Sequence, residues 1–288
     1  MTVLRLLVAL ACVAVPGWVL VTRWAAVLAG HPVYPVLLGL LVATGVVLLM
    51  RHRAPRTGGP ARTTGRVVGA LLLVGVVAAA AWLRPFPADP VPRVDAVETA
   101  TTWELRPAGA TTGLVFVPGA RVDPRAYLAL LAPVADAGHL VVVPKPPLGI
   151  ALLDPGAPGR AFDAHPGVPR WVVGGHSLGG TAAATAVDDP RVGGLLLWAS
   201  YPAGDLSAST LDVLSVSGDR DGLATPADID RTRPLLPPGS AFVTVPGGVH
   251  AFFGDYGAQP GDGEPGVDRA AAQRRIVEVT VTFVGSVT

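Results

Sequence analysis

The first 83 residues show no alternation of apolar and polar positions. Three uncharged apolar runs, 6–22, 33–50 and 67–83, dominate this part of the chain. Each is close to the roughly 17–20 residues that carry a helix across a hydrocarbon core. A helix that is apolar on every face suits a lipid surround better than a water-facing surface. Pro16-Gly17 interrupts the first run, and membrane helices tolerate such a pair. Three membrane-spanning helices are therefore expected over about 4–24, 33–50 and 66–83, within a membrane region 1–84. A stretch with four prolines follows, Arg84-Pro85-Phe86-Pro87-Ala88-Asp89-Pro90-Val91-Pro92. It reads as a stiff, extended linker covering 85–95.

From residue 96 the pattern changes, and 96–288 has the length of one globular domain. Short β-type runs are expected at 113–117, 140–143, 171–174, 194–198, 213–216 and 242–245. Helix-type segments lie between and after them, at 124–137, 178–187, 226–233 and 268–284. Several strands, such as Leu140-Val141-Val142-Val143 and Leu195-Leu196-Leu197-Trp198, are continuously apolar. Strands covered by helices on both faces read that way. The alternation predicts an α/β fold with a doubly wound, mostly parallel sheet.

Charge divides the chain at the same place. No acid precedes Asp89, while eight arginines do. The rest carries 14 basic against 21 acidic residues, a net −7 beneath the overall +1. An acidic domain argues against nucleic acid as a partner, because phosphate contacts need clustered Lys and Arg. Arg51, Arg53, Arg56, Arg62 and Arg66 lie between the second and third apolar runs without one acid. Short basic loops stay on the cytoplasmic side. That predicts a multi-pass protein of the cell membrane with its C-terminal domain extracytoplasmic. The single cysteine, Cys12, cannot form a disulfide within the chain. Arginine outnumbers lysine 21 to 1, a usage that points to a GC-rich bacterial genome.

The strongest chemical signal is Gly174-Gly175-His176-Ser177-Leu178-Gly179-Gly180. It holds G-x-S-x-G between an apolar strand and an Ala-rich helix, the context of a nucleophile elbow. Such a turn lifts the Ser177 hydroxyl above the sheet edge, at a helix N-terminus whose free N–H groups favour negative charge. A serine hydroxyl needs a base. In this arrangement the order is nucleophile, acid, histidine, and His250 is the one histidine after Ser177. The acid must come from Ser217-Gly218-Asp219-Arg220-Asp221-Gly222. Asp221 is preferred because it sits deeper in the loop, with Asp219 as the alternative. Backbone amides of Leu178, after the nucleophile, and of Ala120, in the Pro118-Gly119-Ala120 turn, are the expected oxyanion hole. Asp255, Asp262 and Glu264 do not have the spacing of a calcium loop. They read as a tight loop bracing His250, and neither a metal nor a cofactor is expected.

These residues resemble a known family. Phe-Val-Pro-Gly-Ala at 116–120, Gly-Gly-His-Ser-Leu-Gly-Gly at 174–180, Ser-Gly-Asp-Arg-Asp-Gly at 217–222 and His-Ala-Phe-Phe-Gly-Asp-Tyr-Gly at 250–257 are similar to the dienelactone-hydrolase-like branch of the α/β-hydrolases, the "alpha/beta hydrolase family 5" type. The resemblance covers about 170 residues, from Phe116 onward. It implies the α/β-hydrolase fold and the same triad, Ser177, Asp221 and His250. Dienelactone hydrolases proper use a cysteine nucleophile, so the serine here does not carry over their substrate. Val249 and Phe252 stand where relatives commonly have Asn and Gln, which makes the pocket rim more apolar. The function expected is a membrane-anchored serine hydrolase that cleaves a small-molecule ester. Its partners are that substrate and the lipid bilayer. Acyl transfer, thioester cleavage and a non-catalytic binding role are the alternatives, and the sequence is silent on oligomeric state.

Overall fold

The computed structural model describes residues 2–51, 60–90 and 94–287. The chain divides into two units, one of 1–28 with 32–85, the other of 29–31 with 86–288. In the first unit, α1 runs Thr2–Ala29, α2 Val33–Met50 and α3 Pro60–Trp82. Over Val3–Ala29, Val33–Met50 and Thr64–Trp82 these helices are long and apolar enough to cross a membrane. Helix α1 is kinked at Arg23, whose φ of −144° and ψ of 20° are not helical. Gly45 lets α2 approach α1 closely, since a Cβ there would stand 2.8 Å from the Ala9 carbonyl oxygen. The Tyr34 hydroxyl donates to the Ala80 carbonyl at 2.6 Å and ties α2 to α3. Leucines 7, 10, 40, 71 and 72 are exposed. Residues 52–59 of the basic 51–66 segment, and Val91-Pro92 of the proline-rich stretch, lie outside the described residues, while 60–66 form the start of α3.

In the second unit eight strands form one sheet: β1 (Val97–Glu98), β2 (Thr102–Leu105), β3 (Thr112–Val117), β4 (Leu140–Pro144), β5 (Arg170–His176), β6 (Val192–Trp198), β7 (Asp212–Gly218) and β8 (Ala241–Val245). Their spatial order is β1-β2-β4-β3-β5-β6-β7-β8. Strands β3 to β8 run parallel, and β1 and β2 pair antiparallel at one edge. The helices are α4 (Leu128–Asp136), α5 (Ala157–Ala164), α6 (Leu178–Ala183), α7 (Pro226–Thr232) and α8 (Arg269–Ser286). The parallel, doubly wound sheet expected from the apolar runs is the sheet observed.

Successive side chains of a strand face opposite sides, and β3 shows why its run had to be apolar throughout. Leu114 and Phe116 enter one core with Leu131, Trp198 and Ile276. Val115 and Val117 enter the other with Phe162, Trp171 and Ala183. The Trp198 indole donates to Thr280 Oγ1 at 3.0 Å and fixes α8 to the sheet. Helix α7 begins with a capping box, in which Thr225 and Asp228 satisfy each other's amides ahead of Pro226. The chain winds outward in one direction from β3 to β4 and in the other from β5 to β8. In open α/β sheets the crevice at the carboxyl ends of two such divergent strands is where ligands bind. Here those ends are Val117 and His176.

Three elements go beyond the sequence expectation. Strands β1 and β2 are too short, at two and four residues of mixed polarity, to give a periodic signal. Helix α5 is the third. Pro158 and Gly159 suggest a loop, yet the proline stands at the helix start, where its missing N–H does no harm, and Ala161 and Phe162 are buried.

Candidate active site

Ser177 follows β5 directly and adopts φ 53° and ψ −130°. For a residue with a Cβ that conformation costs on the order of 1–3 kcal/mol and persists only where the surroundings enforce it. They do. The Ser177 amide donates to the Trp198 carbonyl at 2.9 Å, and its own carbonyl accepts the Ser200 hydroxyl at 2.7 Å. The flanking glycines are required by close approach. A Cβ at Gly175 would lie 2.4 Å from the Val117 carbonyl oxygen, and one at Gly179 only 2.1 Å from it. The turn thus wedges between β3 and α6 and leaves Ser177 half-exposed at the sheet edge.

His250 starts the short 3-10 helix His250–Phe253, just beyond β8. Its Nδ1 lies 2.9 Å from Asp221 Oδ2, and both side chains are almost fully buried. The other carboxylate oxygen, Oδ1, accepts the amides of Leu223 and Ala224, each at 2.8 Å. Asp221 is therefore held from both sides. Asp219 points elsewhere: it is exposed, and its carboxylate accepts the Gly247 amide at 2.6 Å. Of the two aspartates that the sequence offered, Asp221 meets the histidine and Asp219 braces the loop leading to it. Among the described residues the Ser177 hydroxyl holds no hydrogen bond. Such contacts are commonly long in unliganded sites and tighten with substrate.

Asp262 carries most of the bracing expected from the 255–264 loop. Its carboxylate accepts the amides of His250 at 3.0 Å, Ala251 at 2.8 Å, Gly222 at 3.1 Å and Gly263 at 2.7 Å. One side chain thereby joins the loop of Asp221 to the loop of His250. Asp255 instead accepts from the Gln273 side chain at 2.9 Å. Its burial raises its pKa above the usual carboxylate value.

Two further residues belong to the site, and their pairing is not legible in local sequence. His176, the variable position of the elbow, is fully buried. Its Nδ1 lies 2.9 Å from the Tyr127 hydroxyl, which accepts the Gly119 amide at 3.0 Å. Because Tyr127 already accepts there, its own proton is free to go to His176 Nδ1. The His176 ring stacks on Phe253 and stands 4.5 Å from the His250 ring, centroid to centroid. Burial, with His250 as the next cause, holds the His176 pKa well below its ordinary value. A neutral ring therefore sits beside His250. The same burial pushes the Tyr127 hydroxyl up, so it stays protonated.

In the Pro118–Val122 turn, Gly119 donates to Tyr127, Arg121 to Gly149 and Val122 to Gly119. Among the described residues the amide of Ala120 has no acceptor, and neither has that of Leu178. Both residues are half-exposed. The arrangement offers two unsatisfied donors, a strained serine and a carboxylate-anchored imidazole along one sheet edge.

A sequence model of the alpha/beta hydrolase family matches residues 113–274, more than half of the chain. The chain belongs to the alpha/beta hydrolase family. The matched segment of this hydrolase begins in β3 and includes the elbow, Asp221, His250 and Asp262. No curated protein sequence matches the chain. Among solved structures, the hydrolase is similar to a thermophilic esterase from the Planctomycetes species Thermogutta terrifontis, with 15% identity over 64% of this chain and 86% of that one, at a TM-score of 0.48. It is also similar to the esterase domain of a Rhodothermus marinus protein, with 14% identity over 63% of this chain and 90% of that one, at a TM-score of 0.49.

Proposed function

We propose that this hydrolase is a membrane-anchored serine esterase that cleaves a small carboxylic ester through an acyl-enzyme. The observation that carries the reading is the Asp221–His250 pair, set at the same sheet edge as a serine in a strained elbow. His250 Nε2 takes the Ser177 proton as Oγ attacks the ester carbonyl. Asp221 holds the imidazole with Nδ1–H and stabilises the imidazolium without taking the proton. The alkoxide that forms is met by the Ala120 and Leu178 amides, donors that cost no reorganisation because they are already unsatisfied. His250 then returns the proton to the leaving alcohol. In the second half water replaces Ser177, with His250 again as base, and the acid is released. Ester hydrolysis by the purified full chain, blocked stoichiometrically by a fluorophosphonate, tests the reading. Absence of turnover across ester, thioester and amide panels, together with absence of labelling, would refute it.

The acyl group accepted is short. Between β6 and β7 only residues 199–211 intervene, and they form no helix or strand. No helical lid covers the site from there. Each CH₂ that stays in water forgoes about 0.8 kcal/mol of burial. A p-nitrophenyl ester series should peak between acetate and hexanoate. An optimum at dodecanoate or longer would contradict an open site.

The three apolar helices anchor the enzyme, and the basic 51–66 segment sets its orientation. A C-terminal alkaline phosphatase fusion should be active, and a C-terminal fluorescent protein that folds only in the cytoplasm should be dark. The opposite pair of results would invert the topology.

A further inference from the structure

The segment that joins α3 to the sheet is built into the wall of the site. Phe86, the fourth residue after Trp82, forms an isolated parallel bridge with Val122. Its amide donates to the Arg121 carbonyl at 2.8 Å, and its carbonyl accepts the Asp123 amide at 2.9 Å. Arg121 directly follows Ala120 and has φ 61°. A non-glycine residue keeps that conformation only when its neighbours over-determine it. Here they are Gly149, whose carbonyl accepts the Arg121 amide at 2.7 Å, and Phe86 on the other side of the same residue. The Phe86 ring lies under the Arg121 guanidinium at 4.9 Å and against the Tyr256 ring at 6.0 Å.

Three residues further on, the segment reaches the loop behind the histidine. The Asp89 amide donates to the Asp255 carbonyl at 2.7 Å. Its carboxylate pairs with Arg269, at the start of α8, at 2.5 Å. Residues 86–89 therefore bridge two loops that approach each other from β3 and β8. One presents the Ala120 amide and the other carries His250.

We infer that Phe86 and Asp89 are positioning residues of the active site, so that the junction between the last apolar helix and the domain sets the geometry of the oxyanion turn. This rests on the esterase reading above. A passive tether would need none of these bonds. A junction that supports the strained Arg121 holds the neighbouring Ala120 amide in the orientation that the alkoxide requires. Loss of that support displaces a donor without removing any group that touches substrate. Misplacement by about 1 Å is enough to lower turnover by roughly a hundredfold.

The test uses the full chain in detergent micelles, with rates normalised to the end-point of fluorophosphonate titration. Phe86→Ala should lower kcat by roughly ten- to a hundredfold per titrated site, leave KM within about twofold, and be rescued by Phe86→Tyr. Asp89→Arg should lower kcat in the same way, and combination with Arg269→Asp should restore it. The second pair keeps the test decisive if Phe86→Ala does not fold. A loss that disappears on normalisation, or kcat unchanged in both Phe86→Ala and Asp89→Arg, overturns the inference. Ser177→Ala is run in parallel. Turnover surviving in that variant counts against the esterase reading itself, whereas an inactive Ser177→Ala beside unaffected Phe86 and Asp89 variants counts against the positioning role alone.

Discussion

Ser177→Ala is expected to reduce ester turnover by about six orders of magnitude, to the background rate of the assay, with the thermal unfolding midpoint unchanged or raised. The chemical part follows from the mechanism. Without Oγ there is no acyl-enzyme, and the remaining amides stabilise only the slow attack of water. The stability part follows from the backbone. Alanine has the same Cβ and must adopt the same φ of 53°, so the substitution relieves none of the backbone strain. It removes a hydroxyl that holds no hydrogen bond among the described residues, so no bond of the fold is lost. His250→Ala should lower turnover by a comparable factor, since the members of a triad act as a unit. It should also destabilise the fold, because it leaves the buried Asp221 Oδ2 without its 2.9 Å partner. Steady-state kinetics and calorimetry on the two variants check both parts. Full activity in Ser177→Ala, or equal stability of the two variants, would contradict the account.

Asp221→Asn should lower kcat by about four orders of magnitude, whereas Asp219→Asn should lower it by less than about tenfold. The two aspartates are two residues apart, and their surroundings set the difference. Asp221 divides its oxygens between the histidine and the amides of Leu223 and Ala224. Those amides can be satisfied only by an acceptor. In the Asp221→Asn variant the side-chain carbonyl oxygen stays with them and the NH₂ turns to His250. A donor there forces Nδ1 to be the unprotonated nitrogen and places the proton on Nε2, where it blocks removal of the serine proton. Asp219 takes one amide, that of Gly247, on an exposed loop, and asparagine can accept the same bond. Turnover of the two variants decides the matter, and a larger loss for Asp219→Asn than for Asp221→Asn would reverse the assignment.

Local pattern made the sheet legible. Strands β3 to β7 are rich in apolar residues because both of their faces are covered, and the two-core division of β3 shows the same fact in three dimensions. The elbow was legible because its glycines are forced by contacts within a tightly packed turn, and α7 because its cap lies in Thr225-Pro226. Long-range partners were not legible. Tyr127 meets His176 across 49 positions, and Arg269 meets Asp89 across 180. Nothing in the spacing of either residue records the other. The 255–264 loop reads as a brace for His250, but three acids compete for the role. Asp262 reaches the His250 and Ala251 amides, while Asp255 faces Gln273. Strands β1 and β2 escape a periodicity reading because two and four residues of mixed polarity carry no repeat.

Residues 86–89 show the same limit from the other side. The prolines in and around them describe a stiff, extended stretch, and Phe86 pairs with Val122 as a strand residue would. The sequence could not say that a carbonyl at Arg121 and another at Asp255 would be waiting for its amides. A proline-rich composition specifies conformation, whereas docking depends on groups brought close by the rest of the fold.

Ser177 is the residue expected to carry the acyl group. Treatment of the full chain with a fluorophosphonate, followed by digestion and location of the adduct by peptide mass spectrometry, tests this assignment. A single stoichiometric adduct on Ser177 is expected, absent after denaturation of the protein before labelling and lost in His250→Ala. An adduct on another residue, or undiminished labelling of Ser177 in the denatured chain, would contradict it.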